Sequence, residues 1–169
     1  LFYQMANIEA SRFKGKNNWA VLLGTDGFIT EGTGDNLFFV KDGVVYTPEP
    51  RDILVGISRN YVIELCDELG IKCIEKNLET YDAYTSDECF MTATPFCMLP
   101  VTTIHGKNIG SGKRGPIFEK LFAIFFLGNL SDLVRKKSLI KNIFLSKVKS
   151  IFDTLLKKSE YFIFNSSFF

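Results

Sequence analysis

The 169-residue sequence predicts an α/β (α+β) fold, in which short strands and helices alternate within one domain of ordinary size. Three observations support this prediction. Short apolar runs are bounded by turn residues, the dipeptide Asp42-Gly43 separates two of these runs, and an apolar stripe at helical spacing crosses Ser58–Leu69. Apolar residues make up 46% of the chain, which is enough to build a buried core.

The first predicted element is a helix over Phe2–Arg12, because its apolar residues recur at helical spacing. Trp19–Leu23 is a short apolar run that ends at a turn, and this pattern is typical of a strand. Two more strands, Leu37–Lys41 and Val44–Thr47, flank Asp42-Gly43. They form a predicted hairpin, because this dipeptide accepts the positive φ angles of a tight turn.

The clearest predicted helix is Ser58–Leu69, and Gly70 is expected to end it. A strand over Ile71–Ile74 should follow this helix. Cys89–Thr92 and Met98–Ile104 have the apolar character of two further strands, and the turn residues that follow Ile104 reverse the chain.

The sequence divides into two regions of different composition. Residues 1–124 are predicted to form the α/β domain, whereas residues 125–169 consist mainly of Phe, Ile, Leu, Lys, Asn and Ser. Apolar residues from Ile140 to Leu155 fall on one helical face, so one interpretation is a basic amphipathic helix that contacts a membrane or a partner. The other interpretation, which we favour, is that this stretch arises from a frameshift in AT-rich DNA.

The composition argues against several classes of function. A formal net charge of +1 gives the chain no general attraction to nucleic acid or to an anionic membrane. The longest apolar run, Leu121–Leu127, is far shorter than the roughly 20 residues of a membrane-spanning helix. The four cysteines form no C-x-x-C pair and the single histidine, His105, has no second ligand nearby, so we expect no metal site. We expect a cytoplasmic protein with reduced thiols.

Three segments contain residues suited to binding chemistry. Glu31 precedes the small-residue loop Gly32-Thr33-Gly34, and a carboxylate buried there needs a cationic partner, although the loop is equally compatible with a tight turn and a solvated Glu31. Leu54-Val55-Gly56-Ile57-Ser58 opens the clearest helix, whose free N–H groups can bind an anion or simply be capped. Met91–Pro95 places Thr92 and Thr94 at a strand end, where hydroxyl groups can bind a phosphate or merely finish the strand.

The order and spacing of these segments resemble the C-terminal domain of the class IV pyridoxal-phosphate-dependent aminotransferases, which include the branched-chain and D-amino acid transaminases. Phe2–Ala10 resembles the helix that follows the family's catalytic lysine, and Gly115-Pro116-Ile117 resembles the start of its final helix. The resemblance covers about residues 1–124 and implies the fold-type IV architecture without its N-terminal domain. The matching runs are E-G-T-G-D-N-L-F, V-K-D-G-V-V-Y-T-P, L-V-G-I-S-R, D-E-C-F-M-T-A-T and L-P-V.

The resemblance implies a site for pyridoxal 5'-phosphate. Glu31 would face the pyridine nitrogen of the cofactor and keep it protonated. The phosphate would be held at the helix N-terminus by the backbone N–H groups of Ile57 and Ser58, after the close turn at Gly56. Thr94 would serve the phosphate or the substrate carboxylate, and Leu54 would pack on the ring face.

Two departures from the family pattern concern Pro95 and Tyr3. The position of Pro95 often offers a backbone N–H to the substrate carboxylate, and proline has none. Tyr3 is a tempting partner for the cofactor phenolate, but counting back from Glu9-Ala10 puts the family's tyrosine at or before Leu1. We therefore interpret Tyr3 as a helix residue.

The same count places the Schiff-base lysine a few residues before Leu1, and neither Lys14 nor Lys16 matches it. We therefore expect a fragment of a transaminase, inactive alone, whose parent is a homodimer that exchanges an amino group between a branched-chain-type amino acid and 2-oxoglutarate. The alternatives within the family are a D-amino acid transaminase and an aminodeoxychorismate lyase. The alternative of another class is a non-catalytic domain that binds the cofactor or phosphate.

Overall fold

The computed structural model describes residues 1–13, 17–135 and 163–165. The described residues form four α-helices, ten strands and a short 3-10 helix over Pro50–Asp52. The helices are α1 (Phe2–Ser11), α2 (Ile57–Glu68), α3 (Thr80–Thr85) and α4 (Pro116–Arg135). The strands are β1 (Asn18–Leu23), β2 (Ile29–Gly32), β3 (Asn36–Lys41), β4 (Val44–Pro48), β5 (Cys73–Lys76), β6 (Glu88–Ala93), β7 (Cys97–Val101), β8 (Thr103–Ile104), β9 (Lys107–Asn108) and β10 (Ile163–Asn165).

The strands belong to two sheets. One has the order β5-β4-β3-β6-β7, and the other has the order β2-β1-β10-β8-β9. In the first sheet β3 pairs antiparallel with both β4 and β6, while the β4–β5 pair is parallel and is connected through α2. This mixture of helices with parallel and antiparallel strands confirms the predicted α/β (α+β) class.

The first sheet is buried on both faces because its side chains alternate between two apolar clusters. On one face Phe38 and Phe90 stack, with ring centroids 5.0 Å apart, and pack with residues of α2 and α4 such as Leu65 and Phe118. On the other face Leu37 and neighbouring side chains pack with β1, β2 and β8. The sheet is therefore a rigid platform between two layers, and its strand ends can hold side chains in defined positions.

Two predicted strands differ from those observed. The run Met98–Ile104 is divided between β7 and β8, because the chain leaves the first sheet at Thr102 and enters the second. The strand predicted over Ile71–Ile74 begins at Cys73 instead. The N–H of Ile71 donates to the carbonyl of Cys66 (2.8 Å) and Gly70 has a φ of 65°, so the residues after α2 complete its C-terminal cap before any strand can start.

The other predicted elements are close to those observed, and five short elements had no predicted bounds. These are the 3-10 helix, helix α3 and strands β2, β9 and β10. The observed ends differ from the predicted ends by no more than two residues in α1, β1, the β3–β4 hairpin, α2 and β6. Helix α4 begins at Pro116, as the resemblance implied. Helix α4 extends on both sides of residue 124, and the predicted amphipathic helix from Ile140 to Leu155 lies outside the described residues.

Candidate active site

An open cleft lies where β2, the loop into β3, the start of α2 and the end of β6 meet. All six of the binding residues proposed from the sequence line it, although they come from three separate segments of the chain. The lining residues are Tyr3, Glu31, Gly34, Asp35, Asn36, Leu54, Gly56, Ile57, Ser58, Thr92, Ala93, Thr94 and Pro95.

Glu31, near the end of β2, is the most completely hydrogen-bonded carboxylate in the cleft. Its side chain is buried, and its Oε2 accepts hydrogen bonds from the backbone N–H of Leu54 (2.8 Å) and from Asn36 Nδ2 (3.4 Å). Its Oε1 accepts a hydrogen bond from the hydroxyl of Tyr3. Asn36 Nδ2 also donates to the carbonyl of Leu54 (2.8 Å), so one amide ties Glu31 to the segment that precedes α2. These donors hold the carboxylate in one orientation.

A second carboxylate, Asp35, lies in the loop that joins β2 to β3 and has a different environment. It is 5% exposed, and neither of its carboxylate oxygens has a hydrogen-bond partner among the described residues. Burial, and then the negative charge of Glu31, raise the pKa of Asp35 to about 7. Nearby, the hydroxyl of Thr92 is buried and also lacks a partner among the described residues. The cleft therefore contains polar atoms that this part of the chain leaves unsatisfied.

The N-terminus of α2 opens into the cleft. The helix begins at Ile57, its N-cap is Gly56, and no described side chain donates or accepts a capping hydrogen bond there. The first helical bond joins the N–H of Asn60 to the carbonyl of Gly56, so the N–H groups of the residues between them point out of the helix end. Because the helix dipole adds partial positive charge, this end is suited to an anion.

The apolar and hydroxyl residues lie at the mouth of the cleft. Leu54 is 75% exposed and Ile57 is 85% exposed, so both present apolar surface to whatever enters. Thr94 is exposed at the end of β6, and Pro95 follows it without a backbone N–H. The cleft thus combines an apolar rim, an anion-binding helix end and two inner carboxylates.

The model of the family described as "Amino-transferase class IV" matches residues 1–104, which is more than half of the chain. The chain belongs to the class IV aminotransferase family.

Curated relatives agree with this assignment. Over 119 residues the chain is 41% identical to the branched-chain-amino-acid aminotransferase of Pseudomonas aeruginosa, an alignment that covers 70% of this chain and 37% of that relative. Over 107 residues it is 40% identical to the enzyme of the same name from Escherichia coli, covering 63% and 35% respectively. The chain spans little more than a third of the length of these curated relatives.

Solved structures of the class IV family share the fold. The branched-chain amino acid aminotransferase from Thermobaculum terrenum, solved in its PLP-bound holo form, has a TM-score of 0.69 and is 33% identical; the match covers 73% of this chain and 40% of that one. The Escherichia coli branched-chain amino acid aminotransferase has a TM-score of 0.70 at 37% identity, and that match covers 73% and 41% respectively. The fold expected from the resemblance is thereby confirmed.

Three cleft residues were not anticipated from the sequence. Tyr3 lies in α1, as interpreted, but its hydroxyl also reaches Glu31, because α1 packs against β1, the strand that pairs with β2. This hydrogen bond is the largest of the causes that raise the pKa of Tyr3 to about 12. Asp35 and Asn36 stand within the matching run E-G-T-G-D-N-L-F, and a polar pair directly before an apolar strand was the available signal for them.

Other predicted features concern lysines, metals and membranes. No lysine or arginine lines the cleft among the described residues, and Lys14 and Lys16 lie outside them. Within the described ranges no three His, Cys, Asp or Glu side chains are grouped as a metal site. None of the described helices has the length and apolarity to cross a membrane. The four cysteines are free thiols.

Proposed function

We propose that this chain forms part of the cofactor-binding domain of a pyridoxal 5'-phosphate-dependent transaminase that acts on branched-chain-type amino acids, with 2-oxoglutarate as the amino acceptor. The single observation that carries the proposal is the convergence of Glu31, Leu54, Gly56, Ile57, Ser58 and Thr94 on one cleft. The names of the related enzymes support the choice of branched-chain substrates.

The residues of the cleft fit a phosphorylated pyridinium ring. The N-terminus of α2 has free N–H groups and no side-chain cap among the described residues, so Ile57 and Ser58 would bind the phosphate through their backbone. Gly56 lets the Asn36 side chain approach the start of α2 closely, since a Cβ built at position 56 would overlap Asn36 Oδ1. Leu54 would cover the ring with its exposed apolar side chain. Thr94 would donate its hydroxyl to the phosphate or to the substrate carboxylate.

Glu31 would accept the hydrogen bond of the protonated pyridine nitrogen. A carboxylate has about four lone-pair sites, and the three donors already present leave room for one more. When bound, the cofactor supplies an electron sink for the negative charge that develops at the substrate α-carbon. Glu31 keeps that sink charged by holding the ring proton, while Asn36 and the N–H of Leu54 keep Glu31 in place.

The proposed parent enzyme needs groups that the described cleft does not supply. The Schiff-base lysine, which would act as the general base, would come from another segment, since no lysine lines the described cleft. Residues 1–124 would constitute the cofactor domain, and the parent would be a homodimer.

Binding of pyridoxamine 5'-phosphate to the purified chain tests the cofactor site. Pyridoxamine 5'-phosphate is preferable to the aldehyde because it cannot condense with surface lysines. We expect saturable binding in equilibrium dialysis, and weaker binding of pyridoxamine, which lacks the phosphate. Ile57→Pro should lower the affinity about tenfold, because it removes one N–H donor to a charged group. Proline is tolerated at the first helical position and Gly56 already has the extended ψ of 144° that proline requires before it, so the helix should persist.

Ile57→Ala is the matched control, since it removes the side chain and keeps the N–H. Equal affinities of the two variants would contradict phosphate binding at this helix end. Retention of the ligand no better than by an unrelated protein would contradict the cofactor site as a whole. In the full-length protein, turnover of L-leucine but not D-alanine with 2-oxoglutarate is expected. Turnover of only the D-isomer would instead indicate a D-amino acid transaminase.

A further inference from the structure

Glu31 near the end of β2 and Asp35 in the loop that follows are two buried carboxylates, and their hydrogen bonding differs. Glu31 accepts hydrogen bonds from Tyr3, Asn36 and the backbone of Leu54. Asp35 is equally buried, yet neither Oδ1 nor Oδ2 has a partner among the described residues. Leaving a buried carboxylate without a partner is costly, so its retention beside the cleft calls for a ligand.

The backbone of the loop places Asp35 inward. The N–H of Gly32 donates to the carbonyl of Asp35 (2.9 Å), which closes a tight turn. Gly34 has a φ of 152°, within the range that favours glycine. The Asp35 carboxylate packs directly over Gly32, where a Cβ on residue 32 would overlap both carboxylate oxygens. Side chains at positions 32 and 34 would each disturb this arrangement, so the loop is built around the inward carboxylate.

The chemistry of the cleft selects a cation as the ligand of Asp35. The described lining residues include two carboxylates and no lysine or arginine. Protonation alone would leave a buried O–H group that also needs an acceptor. A metal ion is disfavoured, because the described residues provide no group of three metal-ligating side chains. A nitrogen cation with several N–H groups can instead donate to both oxygens at once.

We propose that Asp35 binds an N–H-bearing cation, an ammonium or guanidinium group, inside the cleft and next to the ring that Glu31 would hold. The identity of the ring rests on the proposed function, whereas the cation site rests on the geometry of Asp35. Two charge pairs then neutralise the two carboxylates: the ring nitrogen with Glu31, and the second cation with Asp35. The cation belongs either to an amino compound in solution or to a side chain of another segment of the protein.

The test is a carboxyl-carbon NMR titration of Asp35 in the purified chain without cofactor. The resonance is assigned through bonds, so the readout does not depend on a variant that must fold. Methylammonium and guanidinium chlorides are compared, well below denaturing concentrations, with tetramethylammonium chloride, which has no N–H group. The ionic strength is kept constant throughout. We expect methylammonium, guanidinium or both to lower the pKa of Asp35 by about one pH unit or more, and tetramethylammonium to leave it unchanged.

The response also identifies the source of the cation. A stronger effect of guanidinium indicates that the cation is the guanidinium group of an arginine side chain. An equal or stronger effect of methylammonium indicates that it is the amino group of a small molecule. A pKa that none of the salts changes, or that tetramethylammonium lowers equally, overturns the proposal. Failure to bind pyridoxamine 5'-phosphate together with a retained response would refute the proposed function and leave the cation site standing.

Discussion

Two buried carboxylates lie at opposite ends of the β3–β6 pair, and they differ in the number of hydrogen bonds that they accept. Glu88, opposite Val40, accepts hydrogen bonds from the backbone N–H groups of Ile117 (3.0 Å) and Phe118 (2.8 Å). Asp35 precedes β3 at the other end of the pair and accepts none from the described residues. Both side chains are more than nine-tenths buried.

The comparison separates a structural carboxylate from one available for binding. Glu88 completes the first turn of α4, where the helix dipole and free N–H groups favour a negative charge, so its burial stabilises the fold. Asp35 receives no hydrogen bond from the residues that the structure describes, and it lines an open cleft. The first region should therefore respond to mutation through stability, and the second through pH and ligands.

The largest expected effect on stability comes from removing the Glu88 side chain. Glu88→Ala should lower the free energy of unfolding by about 4 kcal/mol, because two charge-assisted hydrogen bonds disappear and two helical N–H groups remain buried. Denaturant-induced unfolding followed by circular dichroism measures this. Asp87→Asn, at the adjacent and exposed position, is the control and should cost much less. If Glu88→Ala unfolded at the same denaturant midpoint as the wild type, Glu88 would have no role in stabilising the fold.

The next effect is the pH dependence caused by Asp35. A carboxyl whose pKa rises from 3.8 to about 7 on folding binds more protons in the folded state. Its charge therefore destabilises the fold progressively as the pH rises from about 4 to about 7. The pKa difference corresponds to roughly 4 kcal/mol at 1.36 kcal/mol per unit, and relaxation in the open cleft should reduce this to about 2–3 kcal/mol.

Asp35→Asn should abolish this pH-dependent loss of stability, so the variant should be more stable than the wild type at pH 8. Unfolding curves at several pH values, measured in the absence of amines, provide the check. Identical pH profiles for the two proteins would show that Asp35 titrates normally.

A matched pair of glycine substitutions sharpens the contrast between the regions. A Cβ on Gly115 would overlap the side chain of Glu88, and one on Gly56 would overlap Asn36 Oδ1. We expect Gly115→Ala to cost about 1–3 kcal/mol of stability, in the range of other overpacked sites. Gly56→Ala should cost less stability but weaken pyridoxamine 5'-phosphate binding, because Asn36 holds Glu31. If Gly56→Ala lost more stability than Gly115→Ala, and Gly115→Ala weakened ligand binding more, the distinction between a structural region around Glu88 and a binding region around the cleft would be wrong.

The smallest expected effect on stability is that of Tyr3→Phe. The hydrogen bond to Glu31, followed by burial, raises the pKa of Tyr3 to about 12, so its contribution to stability is present below pH 10 and is lost between about pH 10 and 12. Spectrophotometric titration of the wild type should show one tyrosine with this high pKa, and the variant should lack it. A wild-type titration without that component would mean that Tyr3 does not contact Glu31 in solution.

Most of the fold was predictable because its signals are local. The stripe over α2, the dipeptide that turns β3 into β4 and the apolar run of β6 each depend on nearby residues. The division of Met98–Ile104 between two sheets was not predictable, because β7 and β8 are distinguished only by their partners. Pro100 is accommodated in β7 because that strand lies at a sheet edge.

The six proposed site residues could be selected from the sequence because their order and spacing form a family pattern, and the fold brings them into one cleft. Their roles remain predictions. The burial of Asp35 with no partner in the described ranges, and the contact of Tyr3 with Glu31, could not be inferred in the same way. Both depend on how the loop before β3 packs beneath α1.

The sequence by itself determined the fold class, the family pattern and the identities of the chemical groups, since these follow from local periodicity and residue type. Only the tertiary structure decided which carboxylate is hydrogen-bonded and which has no donor within the described part of the chain. Glu88, Glu31 and Asp35 are similar as acids, and their environments arise from residues distant in the chain: the start of α4 for Glu88, the segment before α2 and helix α1 for Glu31, and no described donor for Asp35. Hydrogen bonding and desolvation depend on distances in space, and the order of residues alone does not specify those distances.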